Sequence, residues 1–376
     1  MSAQPIGRPD PGTWLFSSDD HLDLCYVPPT MWQERVPAKW KAEAPKVQTD
    51  SKGRTVWFRE GRPWGVQGSK KLDGRKVVFD EVGLAEEPEP GVFRAASAKY
   101  RLQDMDRDGI YAQVMYNFLD WGFENPELKE ACLLAFNDWI AEFCAADRNR
   151  LIGLAVLPTH DPQAAMSELD RTTKLGLRGA MFEFTGATTP VYDKAWDPLW
   201  AAAAESGTAI SFHIMTKRSL TALNLKDYPW LLPAQAAVAC LMLNEIMSQL
   251  IYSGITLRHP KLKLVLAESS LGWLPFVLER LEFEQHNYKH VQSLPKVPAG
   301  EIFRRSFYCT FQEEKLGVQL IPKIGEDNVM WAADYPHGDG SFPRSRQAVD
   351  SIFEGVDPRI KAKATRDNMK NLYRIS

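Results

Sequence analysis

The chain predicts an α/β fold, a (β/α)8 TIM barrel with a large insertion after its first strand. Three observations carry that prediction. Eight apolar, strand-like segments alternate with helix-like ones, most regularly from Leu102 onward. The first and last of these strands both end in a burst of carboxylate and imidazole: FSSDDHLD at residues 16–23, and WAADYPHGDGSFP at residues 331–343. A barrel gathers catalytic groups at the carboxyl ends of its strands. Finally, 376 residues accommodate a barrel of ~250 residues plus an insertion. No GxGxxG follows a strand, so a dinucleotide-binding sheet has no support.

The first strand is read over residues 13–18. An excursion over residues 24–98 follows, with Pro28-Pro29, a hairpin-like pair (54–60 and 62–67) around Gly61, and a short apolar run at 77–79. The reading is a barrel of residues 13–23 and 99–376 with a cap at 24–98; a surface insertion is the alternative. The barrel resumes with a short helix at 104–108 and a buried strand at 110–115. Residues 126–147 form a long amphipathic helix with Leu128, Ala131, Leu134, Ala135, Trp139 and Phe143 at helical spacing. Strands then fall at 151–157, 179–184, 209–214, 262–267, 307–310 and 329–333. The helices between and after them fall from Asp161, then at 196–205, 233–252, 271–286, 314–324, 345–353 and 359–373. The segment 233–252, PAQAAVACLMLNEIMSQLIY, is apolar nearly all round. As one helix it would need burial on two faces, which predicts a homodimer.

Composition narrows the function. Hydrophobic content of 44% and charged content of 25% are those of a soluble globular protein, and a small-molecule substrate is the expected partner. A net charge of −3 gives no nucleic-acid footprint. No apolar run reaches the ~18 residues of a membrane span, and the start lacks a secretory pattern, so a cytoplasmic protein without membrane attachment is expected. The five cysteines are scattered without a CxxC, which argues against a disulfide framework or zinc ribbon.

Residues at the carboxyl ends of the strands are the candidates for chemistry. Strand one offers Asp19, Asp20, His21 and Asp23; alternation puts Asp19, His21 and Asp23 on one face and Asp20 on the other. Strand three is followed by His160, strand four by Glu183, strand five by His213, strand six by Glu268, and strand eight by Asp334 and His337. His213 reads as a ligand opposite His21 and Asp334. Glu183 and Glu268 are either ligands or partners of Arg178 and Arg218. His160 and Asp20 are either functional or local supports. His259, His286 and His290 read as structural or solvated. Lys217 and Arg218, just after His213, are candidates for holding a substrate carboxylate or phosphate. Trp121, with the aromatic residues of the excursion, is a candidate for lining an apolar pocket.

At these residues the sequence resembles the amidohydrolase-related metal-dependent TIM-barrel enzymes (amidohydrolase family 2). The resemblance rests on SSDDHLDL, LPTHDPQAAMSELDRTTKLGLRGAMF, SFHI, SGITLRHPKLKLVLAESSLGWLPFVLERLE and WAADYPHGDGSFPRS, and covers about residues 13–24 and 100–375. That family holds hydrolases, decarboxylases and hydratases on a distorted barrel. Its mononuclear decarboxylase branch implies Asp19, His21, His213 and Asp334 as metal ligands. The departures concern strand one, where His21-x-Asp23 replaces the hydrolases' His-x-His; strand four, where Glu183 replaces a carboxylated lysine; and strand six, where Glu268 replaces a histidine.

The mouth is thus poor in imidazole and rich in carboxylate, which suits iron or manganese better than zinc. This composition also resembles a non-haem di-iron monooxygenase group of the same barrel. The leading expectation is therefore a di-iron oxidoreductase hydroxylating an apolar substrate, which the resemblance to that group implies is coenzyme A-linked. Asp19, His21, Asp23, Glu183, His213, Glu268 and Asp334 would be ligands, and Asp334, His337 and Glu268 the catalytic groups. The alternative is a hydrolase or decarboxylase using zinc or manganese, in which the metal polarises a carbonyl or activates water.

Overall fold

The computed structural model describes residues 14–51, 53–68, 88–117, 122–184, 187–214, 224 and 226–376. The first strand, β1 (Leu15–His21), is longer than predicted and runs through both aspartates to His21. The following segment forms a short helix, α1 (Met31–Arg35), and an antiparallel sheet of β2 (Lys46–Thr49), β3 (Thr55–Arg59) and β4 (Arg62–Val66). The predicted hairpin is β3–β4, turning at Gly61 with φ +75°. Its aromatic residues pack on one another: the Trp32 ring lies 5.0 Å from Trp57 and 5.3 Å from Trp64. The run at 77–79 lies outside the described residues.

The barrel continues with α2 (Ala98–Asp108), β5 (Ile110–Tyr116), α3 (Pro126–Cys144), β6 (Leu151–Val156), α4 (Pro162–Lys174), β7 (Gly179–Met181), α5 (Asp197–Ser206) and β8 (Ala209–His213). Local chemistry fixes the helix ends. Gly109 closes α2 at φ +78°. Asn125 caps α3 by accepting from the Glu127 and Leu128 amides, and Asp161 caps α4 by accepting from Ala164. Then come α6 (Leu231–Ala236), α7 (Leu243–Tyr252), α8 (Ile255–Arg258), β9 (Leu264–Ala267), α9 (Leu274–Asn287), α10 (Ala299–Ser306), β10 (Phe307–Phe311), α11 (Lys315–Ile324), β11 (Val329–Trp331), α12 (Ser345–Ile352), α13 (Pro358–Ala362) and α14 (Asn368–Leu372).

Eight of these strands form one sheet in the order β1-β5-β6-β7-β8-β9-β10-β11, each pair parallel. The insertion docks on α3: Trp32 Nε1 donates to Cys132 O at 3.1 Å, and Glu60 accepts from the Glu124 and Asn125 amides. The seam between β1 and β11 is closed partly by side chains. Ser18 Oγ donates to Trp331 O at 2.8 Å and the Ala333 amide donates to Ser17 Oγ at 2.7 Å. Beyond them, the Asp334 amide donates to Asp19 O and the His21 amide to Tyr335 O. Strand alternation divides the core: Phe16, Val114, Leu154, Val265 and Met330 fill the barrel, whereas Leu151, Ile210, Leu266 and Phe307 face the helices.

Two predicted helices are broken. Residues 233–252 form the end of α6, a 3-10 turn (Ala239–Met242) and α7. Buried residues recur at helical spacing only from Leu243 (Leu243, Ile246, Met247, Leu250, Ile251); before that the run is apolar without a period, and Val238 and Leu241 are exposed. The C-terminal helix is likewise interrupted by a π-helical turn, Lys363–Asp367.

Candidate metal centre

The ends of β1 and β8 and the residues just after β9 and β11 meet at the barrel mouth. Asp19, His21 and His213 each place a ligand atom within 4.8 Å of the others', and so do His21, Asp334 and His337. His21 Nε2 lies 3.0 Å from Asp334 Oδ1 and 3.8 Å from Asp19 Oδ1; His213 Nε2 lies 3.5 Å from Asp19 Oδ1 and from Glu268 Oε2. The His213 Nδ1 atom is 2.7 Å from Ile214 O, which assigns the proton to Nδ1 and turns the Nε2 lone pair toward the carboxylates. Asp19 is held by its other oxygen: Oδ2 accepts from the Glu268 amide and from Thr310 Oγ1, both at 2.8 Å. Glu268 and Asp334 themselves adopt φ +52° and +58°, a left-handed conformation that costs energy for non-glycine residues and clusters at functional sites.

The electrostatics ask for a cation. Asp19, His21, His213 and Asp334 are all buried. Asp19 Oδ1 and both Asp334 oxygens make no properly aligned hydrogen bond among the described residues. Burial opposes charge on His21, but hydrogen bonds to Asp23 and Asp334 outweigh it and push the imidazole up to about 10. His337 is raised in the same way: burial resists, and Asp334 and Asp23 prevail. Burial lifts Glu268 to about 7 against the pull of His213. The imidazoles are thus drawn toward holding protons to offset buried carboxylates. A divalent cation would meet the same demand and take the place of those protons. The donor set of two carboxylates and two imidazoles, with Glu268 at its edge, fits such an ion.

The other predicted residues are placed as follows. Asp20 faces away, as alternation predicts, and its Oδ1 accepts from the Tyr335 amide and Gln113 Nε2. Asp23 lies 2.7 Å from His337 Nε2, and His337 Nδ1 lies 2.9 Å from Asp334 Oδ1, with the His337 ring stacked on His21 at 3.9 Å. Glu183 is buried but belongs to neither ligand group among the described residues. His160 sits 3.5 Å from Glu130, away from the cluster. Lys217, Arg218 and Trp121 lie outside the described residues. Thr310 and Arg101 are absent from the sequence-derived set. β10, the seventh strand of the barrel, ends in no acid or imidazole, and nothing local marks Arg101, which is fully buried and donates to His21 O and Gln113 Oε1. A cleft of about 250 Å³ opens beside Glu268, with Ile214, Cys240, Phe311 and Gln312 in its walls. No helix among the described residues is long and apolar enough to cross a membrane.

The amidohydrolase family model matches residues 90–375. A γ-resorcylate decarboxylase of Rhodococcus jostii (strain RHA1) is 30% identical over 295 residues, covering 73% of this chain and 87% of that protein. Among solved structures, an amidohydrolase of Mycobacterium avium subsp. paratuberculosis K-10 superposes with a TM-score of 0.73 at 21% identity, covering 96% of this chain and 97% of that one. A dihydroxybenzoic acid decarboxylase of Polaromonas sp. JS666, solved with manganese and the inhibitor 2-nitroresorcinol, gives 0.64 at 18% identity, covering 96% and 97%. These findings overturn the expected di-iron monooxygenase: the matched Rhodococcus relative and the Polaromonas structure are decarboxylases, and the latter holds manganese rather than an iron pair. The sequence argument failed because it counted Asp23 and Glu183 as spare ligands without seeing that His337 already engages Asp23 and that Glu183 joins neither ligand group among the described residues. Family match, barrel and strand-end residues agree: the chain belongs to the amidohydrolase family.

Proposed function

We propose that the protein is a metal-dependent decarboxylase of a hydroxylated aromatic acid. The observation that carries this reading is the buried Asp19–His21–His213–Asp334 cluster, with carboxylate oxygens left without aligned hydrogen bonds, in a chain whose matched relatives include decarboxylases. Those four residues would hold one divalent ion, manganese in preference to zinc. The ion supplies a Lewis acid that binds and orients the substrate's oxygens.

The chain's own groups do the rest. His337, held between Asp23 and Asp334, fixes the Asp334 carboxylate. Glu268 lines the cleft 3.5 Å from His213 and brings the proton. That proton goes to the ring carbon bearing the carboxylate. The carbon–carbon bond then breaks, its electron pair returns to the ring, and carbon dioxide leaves. The insertion, docked on α3, closes one side of the mouth. Exposed Trp230, Leu232, Val238 and Leu241 support a homodimer.

The test is carbon dioxide release from γ-resorcylate and related hydroxybenzoates by manganese-loaded protein under argon. Release without oxygen, with solvent deuterium appearing on the product ring, is expected. Glu268→Gln should keep its manganese and lose roughly 10²–10⁴-fold in turnover. No release from any of these acids at full metal loading would sink the reading.

A further inference from the structure

The cleft beside the cluster is rich in acceptors and poor in donors. Glu268, Glu313, Glu314 and Asp339 stand in its walls. Glu314 is already engaged, its two oxygens accepting from the Leu271 and Gly272 amides at 2.7 Å each. The exposed Glu313 and Asp339 carboxylates disfavour ligands with several negative charges and favour a compact monoanion that brings its own hydroxyl donors.

Among the donors in this wall, Ser270 and Cys240 face each other, and Gln312 brings an amide. It follows β10, two positions after Thr310, whose hydroxyl donates to Asp19. Residues two apart on an extended chain share a face, so Gln312 is directed to the same side as Thr310, toward the cluster. It lines the cleft together with Glu268 and Phe311. Its side-chain nitrogen is buried and has no hydrogen-bond partner among the described residues. A buried amide donor is costly to leave unmet, and a group left unmet inside a cleft is met when a ligand arrives.

We infer that Gln312 is a specificity-determining residue, its Nε2 donating a hydrogen bond to a ring oxygen of the bound aromatic acid. Phe311 and Ile214 offer the apolar wall for the ring. The inference rests on the decarboxylase reading above and deepens it. A site built to donate to a substrate oxygen discriminates sharply against analogues lacking it, because its own polar group is then buried unpaired.

The experiment is calorimetric titration of 2-nitroresorcinol into manganese-loaded wild type, Gln312→Leu and Gln312→Glu, with manganese content and melting temperature measured on each. At least tenfold weaker binding in both variants, at unchanged manganese content, is expected. A purely structural role would instead lower the melting temperature or metal content and leave affinity per loaded site unchanged. Should Gln312→Leu fail to fold, the near-isosteric Gln312→Glu carries the same comparison. Equal affinity in wild type and variants overturns the assignment and leaves the decarboxylase reading standing. Absence of wild-type binding overturns that reading, and the assignment with it.

Discussion

Thr310 carries one hydroxyl, and it donates to Asp19 Oδ2 at 2.8 Å, leaving Oδ1 to face His21 and His213. Such supporting bonds orient a ligand more than they bind the ion, and their loss typically costs 10–100-fold in metal affinity. Thr310→Val keeps the shape and deletes the donor. It should weaken manganese binding by about that factor, read by competition with a chelator, while circular dichroism stays unchanged. His213→Ala removes a proposed ligand outright and should leave a folded protein with no measurable manganese by elemental analysis. Retention of a full equivalent of metal in His213→Ala would remove His213 from the ligand set. Arg101 acts one layer further out. It is a fully buried cation that donates to His21 O and Ala95 O at 2.8 and 3.0 Å. Removing one member of a buried charged network costs roughly 3–5 kcal/mol. Arg101→Met should therefore show a destabilisation of that size in urea unfolding.

At the scale of elements, α2 and α12 are joined by Asp108, whose carboxylate accepts from the Ser345 amide at 2.9 Å and from the Ser345 hydroxyl. Burial is the main influence on Asp108, and against the opposing Ser345 bonds it raises the carboxyl from 3.8 to about 6. The folded value lies above the unfolded one, so the contribution to stability is complete below about pH 3.8 and is lost as pH rises through 6. The difference is on the order of 3 kcal/mol. Asp108→Asn keeps an acceptor for the Ser345 amide and cannot ionise. Relative to wild type it should gain stability between pH 4.5 and pH 7.5, measured by urea unfolding at both. A constant difference would show that Asp108 stays neutral or is solvated. The barrel is legible in the sequence because buried parallel strands are short apolar runs and their helices carry a 3.6-residue period. The proposed ligands Asp19, His21, His213 and Asp334 are legible because they end or closely follow such runs. What sequence cannot reveal is which polar group is already engaged: Asp23 and Glu183 read as spare ligands until their neighbours are known. Nor does apolar content alone define a helix, as the break at Ala239–Met242 shows.

For the whole molecule, a cation that binds the folded chain and not the unfolded one stabilises it by mass action, about 2.7 kcal/mol at a hundredfold excess over its dissociation constant. Adding a chelator should lower the melting temperature, and manganese should restore it; an unchanged melting temperature would separate the site from stability altogether. Static light scattering at micromolar concentration should give the mass of two chains of 42.6 kDa, and a single-chain mass would reject the dimer. The seam between β1 and β11 has a consequence for how the protein comes into being. Ser18 and Trp331, which it joins, stand 313 positions apart, and contacts of such long range form late because the entropy of closing the loop must first be overcome. Asp19 and His21 lie on one side of that closure and Asp334 beyond the other. A ribosome-bound chain that has not yet exported its final strand therefore carries three of the four proposed ligands and lacks Asp334, so the proposed site is incomplete until the barrel closes. If the proposed site holds its ion, metal acquisition would act as a checkpoint on completion: the ion would bind fully only after the seam has closed, and once bound would act as a clasp on that closure.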